Sequence, residues 1–230
     1  MGDMQLQENL HLAPTPAGAF YCCASPEQDP ARRLLQSLFR QSESPLLGEI
    51  NLEDWSGQSG DDATALLYHM QEQSLVQGLD KAQSCPEGPL EEVLPFLLPA
   101  LSGDGKALLA DDQGFYVASS GFPHEAAEEL AALSASLGLL HKRHRSLLNK
   151  NLGYQANAWT LGDAAGNSQI GFWPLFVGEQ RFSLVIGGLP CFNHRSFTRL
   201  VWSLGVRYGE SPGAISRDEI PTRQDIQSHS

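Results

Sequence analysis

The stretch ALLADDQGFYVASSG at 107–121, followed closely by EAAEELAAL at 125–133, decides the fold of this chain. Its two short apolar runs flank an Asp-Asp-Gln-Gly turn, and this pattern predicts an antiparallel β-hairpin. Pro123 cannot continue the second strand. A long helix is predicted next, over 124–149, because apolar residues recur there at helical spacing. Strand, turn, strand and long helix together indicate an α+β domain.

The predicted long helix has two distinct faces. Its apolar stripe recurs at steps of three and four residues: Ala126, Leu130, Leu133, Leu137, Leu140 and Leu147. We expect this stripe to cover a sheet. A second face consists of small residues: Ala127, Ala131, Ser134, Ala135 and Gly138. Small side chains let another backbone approach closely, which favours a helix–helix dimer contact, but alanine also favours helices by itself and the face can simply be solvated.

The remaining apolar runs predict the rest of the sheet. Three further strands should form a meander, at 154–161, 170–177 and 182–186. Pro174 lacks the N–H that a ladder needs, so a bulge or a locally unpaired position is expected there. One helix is predicted before the hairpin, at 89–101, and another after the last strand, at 193–208. The chain therefore predicts a five-stranded antiparallel sheet with packed helices and a β-β-α-β-β-β core.

The quoted stretch resembles the Roadblock/dynein-light-chain domain. Members of that family show an apolar strand, an Asp-x-x-Gly turn, a second strand that ends in Ser/Gly, and then an acidic, alanine-rich helix. Residues 107–121 and 125–133 follow this order. The later FSLVIGG at 182–188 is similar to the last strand of the family. The resemblance extends over about 90–208.

The resemblance implies a protein that is not an enzyme, a dimeric scaffold whose relatives regulate Ras-like small GTPases or anchor larger assemblies. Family dimers pair through the long helix and the neighbouring central strand, which correspond here to 127–138 and 154–161. The implied dimer interface is therefore Ala127, Ala131, Ser134, Ala135, Gly138, Tyr154 and Trp159. The expected partners are a second copy or a related domain, and a small GTPase. A small-ligand sensor of the GAF/PAS type is the alternative function.

Four segments are expected along the chain. They are a flexible tail at 1–30, a helical, winged-helix-like module at 31–84, the Roadblock-like domain at 88–210, and a second flexible tail at 211–230. The winged-helix resemblance rests on three short helical patterns that precede a strand-like run. Within 31–81, four Lys and Arg residues face eight Asp and Glu residues, so DNA binding is disfavoured and a contact with protein is favoured.

Composition excludes several classes of protein. The chain has 15 Lys and Arg residues against 27 Asp and Glu residues, a net charge of −12 that argues against a nucleic-acid partner. Its apolar runs are too short to insert into a membrane. The N-terminus lacks the pattern of a secretory signal, so a cytoplasmic location is expected. The four cysteines show no C-x-x-C pair and are interpreted as free thiols.

The sequence predicts no catalytic residues, no cofactor and no metal site. The SGDGKA segment at 102–107 lacks the first glycine and the Ser/Thr of a phosphate-binding loop. A basic cluster comprises His141, Lys142, Arg143, His144 and Arg145. No acidic or Cys residue completes a metal site around its two histidines. The cluster is either a solvated helix end that complements the helix dipole or a contact patch for an acidic partner.

Overall fold

The computed structural model describes residues 9–209. Its helices and strands follow in this order: β1 (His11–Pro14), α1 (Pro16–Cys23), α2 (Pro30–Arg40), α3 (Leu52–Ser56), α4 (Gly60–Glu72), β2 (Val76–Leu79), α5 (Leu90–Leu97), β3 (Ala107–Ala110), β4 (Tyr116–Ser120), α6 (His124–Arg145), β5 (Trp159–Gly162), β6 (Ser168–Val177), β7 (Gln180–Gly187) and α7 (Arg195–Tyr208). Short 3-10 turns lie at Leu47–Glu49 and Leu98–Leu101, and a π-helical turn at Ser146–Asn151 follows α6.

The main sheet has five antiparallel strands in the order β4-β3-β7-β6-β5. This confirms the predicted fold class and the β-β-α-β-β-β order of its core. The longest ladder joins β6 to β7, from Ile170 opposite Gly187 to Val177 opposite Gln180. In the described part of the chain β5 pairs with β6 alone, so β5 is an edge strand.

The two faces of the sheet bury different partners because side chains alternate along each strand. Leu109, Leu184 and Ile186 are fully buried in the larger core, which also contains the apolar sides of α1, α2, α5 and α7. Leu108 and Val185 point to the opposite face and pack against α6. Helix α6 therefore covers one face of the sheet. Helices α1, α2, α5 and α7 contribute to the larger core on the other face.

The N-terminal segment is ordered where a tail was predicted. Strand β1 and helix α1 lie within 1–30, and β1 pairs with β2 from His11 opposite Leu79 to Pro14 opposite Val76. Ala19 and Cys23 of α1 are fully buried. The prediction of a flexible tail is wrong for these elements because a four-residue strand and a helix without an amphipathic period give no pattern to detect. The other predicted tail, at 211–230, lies outside the described residues.

The module at 31–84 contains the three predicted helices and the predicted strand, but its winged-helix resemblance is not confirmed. Strand β2 pairs with β1, which precedes the helices, instead of starting a wing. The module also shares one hydrophobic core with the sheet domain. Trp202 Nε1 of α7 donates to the carbonyl oxygen of Gln41 at 2.7 Å. A Cβ built on Gly205 would lie 2.6 Å from the Phe39 carbonyl oxygen, so α2 and α7 pack closely there.

Two local predictions differ from the structure near the α6 face. Strand β5 begins at Trp159 and not at residue 154, so Tyr154 lies in the irregular segment before it. The bulge expected at Pro174 is absent from the β6–β7 ladder, where Pro174 lies opposite Ser183 without a register shift. The β5 ladder extends along β6 only to Phe172, so within residues 9–209 Pro174 is unpaired on that side of β6, which agrees with the alternative prediction of a locally unpaired position.

Candidate interaction surface on helix α6

The small residues of α6 form its buried face. Ala127 and Ala131 are 1% and 0% exposed and pack against Leu108 and Val185 of the sheet. Ser134 is also buried, and its Oγ donates to the Ala131 carbonyl oxygen at 2.7 Å. The expectation that these three side chains contact a second chain is wrong, because they lie inside this one. The small residues serve instead to bring α6 close to the sheet.

Ala135 and Gly138 make contacts within the chain as well. A Cβ built on Gly114, in the β3–β4 turn, would lie 3.3 Å from the Ala135 Cβ, so the turn packs closely against the helix. A Cβ built on Gly138 would lie 2.2 Å from Nη1 of Arg181. Both residues are half-buried. Their small size admits a turn and a guanidinium group.

The leucine stripe of α6, expected to cover the sheet, is largely exposed. Leu133, Leu140 and Leu147 are 46%, 39% and 47% exposed. Leu130 and Leu137 are half-buried at the edge of the smaller core. The predicted roles of the two faces are thus reversed in part: the small residues cover the sheet, and of the stripe only Leu130 and Leu137 still pack against it. Leucines arranged along one line of a helix and left in water form an apolar surface that favours contact with another protein.

Edge strand β5 adds a second element to this surface. Leu161 lies opposite Ile170, and residues paired across antiparallel strands share a face of the sheet. Ile170 packs in the α6 cluster, so Leu161 points to the α6 side, where it is 65% exposed. Tyr154, just before β5, is also exposed. We call Leu133, Leu140, Leu147, Tyr154 and Leu161 the α6–β5 surface.

Trp159 links the edge strand to the helix. Its ring lies edge-on to that of His141, with 6.4 Å between the ring centres. Burial lowers the pKa of His141, and the positive charges of Arg145 and Arg181 lower it further. Neutral imidazole is therefore favoured at this position at neutral pH. Of the two predicted interface residues near β5, Tyr154 is exposed and Trp159 is half-buried.

The basic cluster divides between two sides of α6. His141 faces the sheet, whereas Lys142, Arg143, His144 and Arg145 are exposed. Nη2 of Arg145 lies 3.0 Å from Oε1 of Glu27, in the segment between α1 and α2. The cluster is therefore not a uniform patch, and its role as a partner contact stays a prediction.

A groove of about 520 Å³ lies beside the C-terminal half of α6. Its walls come from the 24–27 segment, from α6 and from the adjoining ends of β6 and β7, and they include Pro26, Leu139, Lys142, Arg145, Phe176 and Arg181. Arg181 is half-buried, and its burial lowers the pKa of the guanidinium while nearby Asp112 raises it. Sequence reasoning missed Arg181 and Leu161, because neither belongs to a motif.

Outside this surface, the described residues offer few groups that could bind a metal or react as a nucleophile. Residues 9–209 contain no group of three or more His, Cys, Asp or Glu side chains that could hold a metal ion. Cys22 and Cys23 are buried free thiols, and burial raises the pKa of Cys22 to about 12. A thiol with so high a pKa is a poor nucleophile at neutral pH. Across the same range, every helix is too short or too polar to cross a membrane.

No family model and no curated protein matches the sequence. Several solved structures are similar to this chain. A Roadblock/LC7 domain from Streptomyces avermitilis is 13% identical, with a TM-score of 0.34 over 52% of this chain and 92% of that one. The gliding protein MglB from Thermus thermophilus is 17% identical, with a TM-score of 0.34 over 54% and 94%. An MglB with a tetrameric arrangement is 20% identical, with a TM-score of 0.36 over 54% and 93%. The first of these three structures is a domain of the Roadblock family, which the sequence resembles.

Proposed function

We propose that this protein is a non-enzymatic interaction scaffold that dimerises through the α6–β5 surface. The observation that carries the proposal is the row of exposed leucines on α6 beside strand β5, whose outer edge pairs with no other strand in residues 9–209. Burial of apolar surface is the dominant favourable contribution to most protein–protein association. An edge strand also presents backbone N–H and C=O groups that a second strand can pair with. Both features belong to one side of the molecule.

A second copy of the chain, or a related domain, is the occupant that this surface suits. In a twofold dimer each protomer presents the same patch, so α6 would pack on α6 and β5 would lie beside β5. Such pairing buries the leucine stripe and joins the two sheets at their open edges. The Roadblock resemblance supports the same two elements, the long helix and the neighbouring strand. Tyr154 remains in the proposed interface, while Trp159, whose ring packs against His141, and the buried small residues of α6 do not.

The resemblance also supports the finer part of the proposal, that the dimer docks and regulates a Ras-like small GTPase. A cytoplasmic location, where such GTPases act, is part of this proposal. The exposed guanidinium of Arg143 at the end of α6 offers a contact for an acidic partner surface.

The GAF/PAS alternative is not favoured. Domains of that kind hold their ligand between the sheet and a covering helix. Here Ala127 and Ala131 bring the N-terminal half of α6 directly onto Leu108 and Val185, so this part of the helix and the sheet enclose no ligand cavity between them.

Light scattering of the full chain, alone and mixed with a Ras-like GTPase encoded nearby in the same genome, tests the proposal. We expect a dimer that gains the mass of the GTPase in one nucleotide state, with GDP and a non-hydrolysable GTP analogue compared side by side. Arg143→Glu should weaken that gain without changing the dimer. A dimer that binds neither nucleotide form would overturn the GTPase role, and a monomer would overturn the scaffold itself.

A further inference from the structure

The guanidinium of Arg181 is half-buried and has few hydrogen-bond partners in the described residues. A guanidinium carries five N–H donors. Among residues 9–209 its hydrogen bonding is limited to one long contact, from Nη2 to Oγ of Ser183 at 3.5 Å, and it forms no ion pair there. Half-burial of a charge costs free energy, and Asp112, the carboxylate near this guanidinium, forms no ion pair with it. An anion that is bound at this position would recover that cost.

The groove is shaped around this guanidinium. A Cβ on residue 138 would lie 2.2 Å from Nη1 and 2.3 Å from Nη2, so glycine at that position leaves the space that the group occupies. Arg181 lines both the 520 Å³ groove and a smaller recess of about 40 Å³ that continues under α6. The guanidinium of Arg181 therefore lies where the groove joins the smaller recess, which we call the inner end of the groove.

The surrounding groups favour an anion as well. Lys142 and Arg145 lie on the rim, and the acidic groups of the same groove are Glu27 and Asp112. Glu27 is already paired with Arg145. At the inner end, the indole Nε1–H of Trp159 is buried without a hydrogen-bond acceptor in the described part of the chain. The groove therefore holds three cationic side chains against two carboxylates, in a protein whose net charge is −12.

We infer that this groove binds a small organic anion, whose carboxylate or phosphate group accepts hydrogen bonds from Arg181. The inner recess accommodates a group of that size, and Arg recognises planar or tetrahedral oxyanions through its fork of N–H donors. The apolar walls formed by Phe176 and Leu139 suit the carbon skeleton of the ligand. Ligand pockets typically enclose about 300–1,000 Å³.

The site lies on the opposite flank of α6 from the α6–β5 surface. Leu139 and Lys142 line the groove, whereas Leu133 and Leu140 belong to the leucine stripe. Binding of the anion therefore does not require the dimer, and a failure of one proposal leaves the other standing.

Nitrogen-15 NMR of the full chain tests the site through the Trp159 indole N–H resonance, assigned with Trp159→Phe. Inorganic phosphate, citrate and glycerol 3-phosphate would be titrated separately against chloride at constant ionic strength. We expect a saturable shift with at least one of the three probes. Arg181→Gln should weaken that binding at least tenfold, and Arg181→Lys should weaken it less. The matched control is Arg143→Gln, a cation of the same helix outside the groove, which should change the affinity less than twofold.

Three results would overturn the inference. One is the absence of a saturable shift with every probe. Another is equal binding by Arg181→Gln and the unchanged protein. The third is binding of a glutamate-rich peptide without any response to the small anions, which would assign the groove to a protein partner. If Arg181→Gln does not fold, Lys142→Gln on the exposed rim takes its place, with an expected loss of two- to fivefold.

Discussion

The guanidinium of Arg181 occupies the space that a side chain on Gly138 would fill, with only 2.2 Å between Nη1 and a Cβ built on the glycine. Glycine in the interior of a helix costs about 1 kcal/mol relative to alanine. Here it lets the end of β7 place a charged group beneath α6. The glycine that the sequence suggested as part of a dimer contact therefore positions a charge within one chain.

Gly138→Ala should leave the stability of the fold within about 1 kcal/mol of the unchanged protein. The gain in helix propensity offsets the displacement of Arg181, whose guanidinium ends a flexible side chain and can swing away. Urea denaturation measures the stability. The displaced guanidinium should also weaken binding of the anion probes. Strong destabilisation, or unchanged binding with a stable fold, would contradict this interpretation of the glycine.

Gly205→Ala, the same substitution in another helix, should behave differently. Its Cβ would lie 2.6 Å from the carbonyl oxygen of Phe39, and a backbone atom cannot swing away. Forcing α2 and α7 apart should cost about 1–3 kcal/mol. Urea denaturation of the two variants in parallel compares them directly. Equal stabilities would show that α2 and α7 do not pack as closely as described.

The reversed roles of the α6 faces can be tested with two neighbouring alanines. Ala131 is buried against the sheet and Ala132 is exposed. Ala131→Leu should destabilise the fold by about 1–3 kcal/mol because it overpacks the core. Ala132→Leu, its matched control, should change stability by less than about 0.5 kcal/mol. Thermal unfolding measures both variants. If Ala132→Leu destabilised the fold more than Ala131→Leu, the small-residue face would not be the one that packs against the sheet.

The pKa of His141 should lie below its ordinary value of 6.5, because burial and the charges of Arg145 and Arg181 disfavour the imidazolium. A depressed histidine pKa means that the unfolded chain binds more protons, so stability falls as the pH drops through 6.5 towards the folded pKa. Arg181→Gln removes one cation and should raise the pKa. NMR titration of the imidazole measures it. If the pKa of His141 were unchanged in Arg181→Gln, the charge of Arg181 would not act on this imidazole.

The sheet could be predicted from the sequence because its strands lie between clear turns. Local periodicity, together with the glycine, proline and polar residues of the turns, predicts the hairpin at 107–121, the long helix and the three later strands. Helix α1 could not be predicted in this way, since it is apolar on several sides and gives no period.

The candidate surface was harder to predict for a different reason. Periodicity shows that a helix has an apolar stripe, but it does not show which face meets the sheet. In α6 the small residues allow the closest approach, so Ala131 is buried and Leu133 stays in water. Arg181 and Gly138 belong to separate elements, and their contact exists only in three dimensions.

Sedimentation equilibrium of the full chain and two leucine variants tests the central claim most directly. We predict twice the chain mass of 25.0 kDa for the unchanged protein at micromolar concentration. Leu133→Ser combined with Leu140→Ser should give a folded monomer, while Leu139→Ser, an exposed leucine outside the stripe, should remain a dimer. A monomeric unchanged protein, or a double variant that still dimerises as tightly, would contradict dimerisation through the α6–β5 surface.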